Sequence, residues 1–206
     1  MEPYRLPLFP LPLVLFPGTL IPLHIFEPRY HQMVSDLLAG DRRFGILYHD
    51  PDESGPFLNE AGRIGTVAEI RRHQALPEGR SMILVYGSQR FRTRGEVLSG
   101  APYYQALVEE YQDEPRDPPQ ALLARRSRSL ALFQNILQTL PHVPGALPSF
   151  SLREELSFRL AAVVRMDAFW QQELLEMRDE GERLSRLDPV FQAGIERWWE
   201  GGGSKA

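Results

Sequence analysis

Apolar positions fall into short strand-like runs over the first half of the chain and recur at helical spacing over the second. Leu13–Phe16 is a compact apolar run closed by the turn signal Pro17-Gly18, and predicts a strand. Leu20–Phe26 predicts a second, which Pro22 restricts to an edge or entry role. Tyr30, Met33, Val34, Leu37 and Leu38 share one face of a helix that Pro28 opens and Gly40 closes. Phe44–His49 predicts a further strand, and Asp50–Gly62 an acidic loop. In Ile64–Arg71, the residues Ile64, Thr66, Ala68 and Ile70 alternate onto one side. Leu76–Gly79 predicts a turn, Ser81–Tyr86 and Gln89–Val97 two more strands, and Tyr103–Tyr111 the last. Six or seven short strands with one helix imply a small coiled sheet or pseudo-barrel.

Gln112–Gln120 is polar, holds three prolines and separates the two periodicities. It predicts a β domain over residues 1–115, a helical part over 116–200 and a flexible glycine-rich tail over 201–206. Asp117 caps a helix that Pro118 and Pro119 open and that runs to about Leu140, with Leu123, Leu130, Phe133, Ile136, Leu137 and Leu140 facing inward. A loop follows over Pro141–Ser149. Ser151 and Glu154 form a capping-box pattern for the next helix. Asp167 opens another through Met177, and Asp188-Pro189 opens the last, with Phe191, Ile195 and Trp198 on one stripe.

Composition narrows the chemistry. The chain has no cysteine, which excludes disulfides and thiolate metal sites. Its net charge of −4 argues against a nucleic-acid binder. Of the 23 basic residues one is a lysine, Lys205, in the tail, so mechanisms built on a buried lysine are disfavoured. No basic-then-apolar leader opens the chain and no apolar run approaches the roughly 20 residues of a membrane span, so a cytoplasmic protein is expected.

The segment Leu6–Tyr30, with Leu-Pro-Leu-Phe-Pro-Leu, Phe-Pro-Gly, Pro-Leu-His-Ile-Phe and Glu-Pro-Arg-Tyr in that order, resembles the opening signature of the substrate-binding domain of Lon proteases. Gly65–Ile70, Leu76–Gly79, Gly87–Arg92 and the helical stretch Leu174–Leu187 are similar to later signatures of the same family. The resemblance covers roughly residues 4–111 and, more loosely, 150–190. It implies an α+β fold: a PUA-like twisted β pseudo-barrel with one packed helix, followed by an α-helical bundle. It also implies a role in recognising unfolded or extended polypeptides, or a protein partner, without cofactor. In Lon proteases this domain precedes an ATPase and a serine–lysine protease domain. The sequence contains no G-x-x-x-x-G-K-[ST] loop, and Lys205 in a flexible tail does not supply a dyad, so a non-catalytic module is expected. PUA-like RNA binding and a dedicated folded partner are the alternatives.

His24, Glu27 and His31 are metal-ligand types, but strand, proline and helix separate them, and no metal is expected. Ser88 lacks a nucleophile-elbow context. The acid groups Asp50/Asp52/Glu53 and Glu109/Glu110 suit a solvated surface. Arg125-Arg126-Ser127-Arg128 has no interleaved aromatic residue for base stacking. Glu27, Arg29 and Tyr30 are expected to form a structural corner, with Arg29 paired to a carboxylate across the sheet. Trp198 and Trp199 are candidate interface anchors. For an extended polypeptide the expected groove uses the Phe91 strand as a template, with Phe16, Tyr48, Met82, Arg90 and Phe91 in contact, and Pro22 disfavours its own strand.

Overall fold

The structure is a computed structural model that describes residues 2–139, 149–164 and 166–202. Two compact units divide the chain: residues up to Gln112 together with Met166–Glu176, and Asp113–Arg165 together with the chain from Met177 onward. The first unit therefore takes back one helix from the stretch 116–200 that the sequence assigns to the helical part.

In the first unit the elements run β1 (Tyr4–Leu11), β2 (Leu20–Ile25), α1 (Pro28–Leu38), β3 (Arg43–Tyr48), a one-turn α2 (Pro51–Ser54), β4 (Ile64–Ala75), β5 (Ser81–Glu96) and β6 (Gln105–Glu110). The sheet order is β2-β5-β4-β3-β1-β6, and β5 also pairs with β6. The ring β5-β4-β3-β1-β6 thus closes on itself. β2 continues beyond it as a flap on the first half of β5. The closure is irregular: β1 and β3 are parallel, the other pairs antiparallel, and bulges interrupt β4–β5 and β5–β6.

Two strands differ from the expected pattern. The first strand is Tyr4–Leu11, and Leu13–Phe16 lies outside any strand, with Val14, Leu15 and Phe16 buried. Pro7 and Pro10 conceal β1 from the pattern. They are tolerated because Tyr4–Pro7 pair only with β6 and Leu8–Leu11 only with β3, so each proline has an unpaired side for its missing N–H. Ser81–Tyr86 and Gln89–Val97 are likewise one strand, β5. Gly87 breaks the apolar alternation there because a Cβ at that position would lie 2.5 Å from the Phe16 carbonyl oxygen. After α1 the left-handed turn residue is Arg42, at φ 60°, rather than Gly40.

The ring is filled by Leu6, Leu8, Leu47, Val67, Ala106 and Val108 around Phe91, which is 0% exposed. Glycine makes room for this ring. A Cβ on Gly45 would sit 2.6 Å from Phe91 Cζ, and one on Gly65 2.7 Å from the same atom. A second apolar cluster joins the inward side chains of the flap, Leu23, Ile25, Ile83 and Val85, to Met33, Val34 and Leu37 of α1. The returning helix, α5 (Ala168–Glu176), begins at Asp167, whose carboxylate accepts from Trp170 N at 2.8 Å as an N-cap. Arg90 Nη1 donates to the Leu175 carbonyl at 2.6 Å and Tyr111 Oη to the Glu176 carbonyl at 3.0 Å, so a cation closes the negative end of this helix.

The second unit holds α3 (Pro119–Thr139), α4 (Ser157–Val163) and α6 (Glu180–Gly202). Beside buried Phe133, Leu160, Leu184, Leu187 and Phe191 it holds a buried ion network. Arg183 is 0% exposed and donates to Asp113 Oδ1 and Oδ2 at 2.9 and 2.6 Å, to Ser157 Oγ at 2.7 Å and to the Met177 carbonyl at 2.9 Å. Its guanidinium lies 4.1 Å from the Phe158 ring centroid. Arg126 forks onto Glu180 at 2.8 and 2.5 Å, and Glu180 also accepts from Leu156 N.

This network displaces several expectations. Leu123 is 47% exposed, because the inward face of α3 runs through Arg126, Ser129 and Phe133 instead. Ser151 and Glu154 do not cap α4, which begins at Ser157; there Glu155 accepts from Phe158 N at 3.1 Å. Nor does Asp188-Pro189 open the last helix. α6 starts at Glu180, capped by Asp179 through Glu182 N at 2.8 Å, and passes through Pro189, while Asp188 accepts from Ser129 Oγ at 2.5 Å. Leu140, most of the loop expected over Pro141–Ser149 and the tail from 203 onward lie outside the described residues, as do the side chains of Ile195, Trp198 and Trp199 on α6.

Candidate functional site

The exposed surface of the flap is the first feature that distinguishes itself. Odd-numbered β2 residues Leu23 and Ile25 point inward, so Leu20, Pro22 and His24 point outward. Across the ladder these oppose Tyr86, Leu84 and Met82 of β5. Directly opposed residues share a face, so the six side chains form one patch. Leu20 is 55% exposed, and Phe26, just beyond the strand, 62%. On β4 the same rows end in Glu69, Arg72 and Gln74, giving the patch a polar rim.

Among the described residues β2 pairs only with β5. Gly87 N donates to the Thr19 carbonyl at 2.9 Å, and the register then turns the main-chain groups of Ile21, Leu23 and Ile25 toward β5. Pro22 therefore presents its missing N–H to the open edge. That position blunts strand addition and leaves the apolar face available.

A cleft of about 510 Å³ opens beside the end of this strand. Its walls include Pro10, Pro12, Pro51 and Pro56, and its rings Phe26, Tyr30, Phe57 and Tyr104. The loop after β3 is braced against it. Phe57 meets Tyr104 edge-on at 4.7 Å and His49 at 5.3 Å, and His49 Nε2 bonds the Gly55 carbonyl at 2.9 Å. Arg63 Nη2 donates to the Tyr48 carbonyl at 2.6 Å while its guanidinium lies 4.8 Å from the Phe57 centroid, and burial lowers its pKa.

The corner Glu27–Tyr30 also lines this cleft. Arg29 pairs with Glu27, two residues away, through Nε at 2.9 Å and Nη2 at 2.8 Å, not with a carboxylate across the sheet. Its guanidinium lies 4.7 Å from the Tyr30 centroid and 5.5 Å from that of Tyr104. Tyr30 stacks on Phe9 at 4.0 Å and is 2% exposed; burial pushes its phenol well above the ordinary range.

The groove expected on the Phe91 strand is corrected. β5 is flanked by β4 on one side and by β2 and β6 on the other, so it has little free edge to offer a peptide. Phe91 and Phe16 are buried, and Arg90 is 5% exposed and committed to α5. Tyr48 is half-buried at the end of β3, in register with Leu11. Met82 alone of the five lies on the apolar patch. The patch also holds Leu20, Leu84 and Tyr86, which the expected groove does not include; the available signal is a hydrophobic outward set in a strand already read as an edge.

Other groups take structural partners. Ser88 Oγ donates to the Val67 carbonyl at 3.2 Å, and His31 Nε2 lies 3.2 Å from the Ile25 carbonyl. Among the described residues no cluster of three His, Asp or Glu side chains is arranged to hold a metal. Glu109 receives Arg92 and Arg94; the Arg92 hydrogen bond holds its carboxyl below the usual range. Arg125, Arg126 and Arg128 pair with Asp117, Glu180 and Asp188 at 2.5, 2.5 and 3.4 Å, so the densest basic cluster is neutralised within its own unit. Among the described residues no helix is long and apolar enough to cross a membrane.

This fold has known counterparts. A Lon N-terminal domain protein from Xanthomonas campestris superposes with a TM-score of 0.62 at 25% identity, over 89% of this chain and 96% of that one. The N-terminal domain of a Mycobacterium avium complex Lon protease shares the fold, with a TM-score of 0.65 at 17% identity over 92% and 98%. In sequence the chain is 30% identical to the Lon protease of Dictyoglomus thermophilum over 90% of its length, and 28% identical to that of Cytophaga hutchinsonii over 94%. It spans about a quarter of the length of these relatives. The family model of the ATP-dependent protease La (LON) substrate-binding domain matches residues 5–188, and the chain belongs to that family.

Proposed function

We propose that this chain is a non-catalytic, cytoplasmic polypeptide-recognition module that holds unfolded or extended chains on the outward face of β2 and β5. One observation carries this: Leu20, Pro22, Leu84, Met82 and Tyr86 form a contiguous apolar patch, rimmed by polar residues, on the flap of a folded domain. Patches of this kind mark interaction sites. Apolar side chains of an unfolded client lose water against this face without requiring a defined sequence. Membership of a substrate-binding family favours the same assignment.

The test is fluorescence anisotropy with a labelled, permanently unfolded polypeptide and a labelled single-stranded RNA, each at two salt concentrations. Saturable, weakly salt-dependent binding to the polypeptide is expected. Leu84→Asp places a charge at the centre of the patch and is expected to weaken binding by roughly tenfold or more without loss of fold. Binding to RNA alone, collapsing at high salt, overturns the proposal. A stoichiometric complex with a folded protein and no affinity for unfolded chains replaces it with an adaptor role.

A further inference from the structure

The outward face of the flap carries charge as well as apolar surface, and the charge is uneven. Its rows run Leu20–Tyr86–Glu69, Pro22–Leu84–Arg72 and His24–Met82–Gln74 across β2, β5 and β4. Arg72 stands directly opposite Leu84, at the centre of the patch. A bulge puts it there. The β4–β5 ladder pairs Ile70 with Val85 and then Arg72 with Leu84, which leaves Arg71 as the extra residue. In an unbroken ladder Arg71 would oppose Leu84, and Arg72 would turn inward opposite Ile83. The bulge keeps Ile70 in the core and turns Arg72 onto the outer face.

The neighbouring arginines differ in what surrounds them. Arg71 pairs with Glu69 through Nη2 at 2.7 Å, and its guanidinium lies 4.9 Å from the Tyr86 ring centroid. Glu69 is the carboxylate of the rows, so that pair is closed. Arg72 is exposed and has neither ion pair nor hydrogen bond among the described residues. An open guanidinium thus borders the apolar surface. A chain laid along the patch brings its own side chains against that group. Apolar side chains strip water from the cation at a cost. A carboxylate replaces the lost water with a charge-assisted hydrogen bond of bidentate geometry. A lysine adds like-charge repulsion instead.

Resting on the polypeptide-recognition function proposed above, we infer that the flap selects among unfolded clients by charge: it prefers segments in which an Asp or Glu adjoins an apolar stretch, and Arg72 receives the carboxylate. The selection runs against the field of the whole molecule. A net charge of −4 attracts basic clients and repels acidic ones. An acidic preference therefore reports the local group and not the overall charge.

The experiment titrates the full chain with labelled, unfolded peptides that share one apolar stretch and follow it with a pair of glutamates, of glutamines or of lysines, at low and at high salt. At low salt the glutamate peptide is expected to bind about three- to fivefold more tightly than the glutamine peptide, the upper range for an exposed ion pair, and the lysine peptide more weakly than either. High salt is expected to bring all of them to the affinity of the glutamine peptide. Arg72 is exposed and bonds nothing in the fold, so its variants are expected to fold as the wild type does. Arg72→Gln is expected to erase the preference for glutamate while leaving the glutamine peptide unchanged, and Arg72→Glu to place the lysine peptide first. Arg5→Gln, on β1, removes the same charge outside the flap and is expected to leave the order unchanged. Equal binding of the glutamate and glutamine peptides, the lysine peptide first in the wild type, or an acidic preference that survives Arg72→Gln overturns the inference. If the peptides then all bind alike and Leu84→Asp weakens every one of them, the flap function stands. If none of them binds, both readings fall.

Discussion

The two units differ in how much charge they bury. The first closes a ring of strands on Phe91, with Gly45 and Gly65 cut back to admit the ring. The second adds a buried cation to its apolar side chains Phe133, Leu184 and Phe191: Arg183, with Asp113, Ser157 and the Met177 carbonyl arranged to satisfy it. An apolar core is tolerant of what lies on its outer surface, because burial is non-directional. A buried ion network is not: every donor needs its acceptor in place, and removing one partner leaves a buried charge.

The sharpest way to break this contrast is to remove the charge from one side only. Arg183→Met leaves Asp113 and Glu155 without their cation. It is expected to cost the second unit about 3–5 kcal/mol in urea denaturation. Phe91→Leu, which keeps an apolar side chain in the ring, is expected to cost less than Arg183→Met; the reverse order contradicts the contrast. Next in size is Gly45→Ala. Its Cβ meets both Phe91 and Leu8, so overpacking is expected to cost about 1–3 kcal/mol, and Phe91→Leu in the same chain is expected to recover part of that loss.

Protonation gives the smallest effects and separates two acids of the second unit. Burial pushes the Glu155 carboxyl up, against the pull of Arg183 and Ser157. Its contribution to stability is full below the ordinary carboxylate pKa and is lost as pH rises through the raised value. Glu155→Gln is thus expected to gain on the wild type as pH goes from acid to neutral. Burial also pushes Asp179 up, but the Arg116 and Glu182 backbone N–H groups outweigh it and hold the carboxyl low. Its contribution is present above the ordinary pKa and lost as pH falls through the depressed one. Asp179→Asn is expected to flatten the acid limb of the stability profile, followed by circular dichroism across pH. Parallel profiles for the two variants contradict the assignment.

The same contrast explains what was legible from the chain. β2, α1, β3 and the start of β4 follow simple periodicity because one side of each is apolar and faces the first unit's core. In α3 that signal fails: Arg126 and Ser129 lie on the inward face, satisfied by Glu180 and Asp188 some sixty positions away, and no local pattern reveals such partners. β1 was hidden by Pro7 and Pro10, whose cost vanishes only because the strand changes neighbours halfway. The order Glu27-Pro28-Arg29-Tyr30 places these residues together at the start of α1; their lining of a cleft has no local signal. The arginines that flank Phe91 suggest a contact residue, but its side chain fills the ring. The mid-strand glycines at 45 and 65 were the missed sign that a large side chain approaches the backbone there.

The central claim, that polypeptide is held on the outer face of the flap, is tested most directly by hydrogen–deuterium exchange of the chain with and without saturating unfolded polypeptide. New protection is expected over Leu20–Phe26 and Ser81–Tyr86, and absent from both segments in Leu84→Asp. Protection confined to the second unit, or to β6, with the flap unchanged, contradicts it.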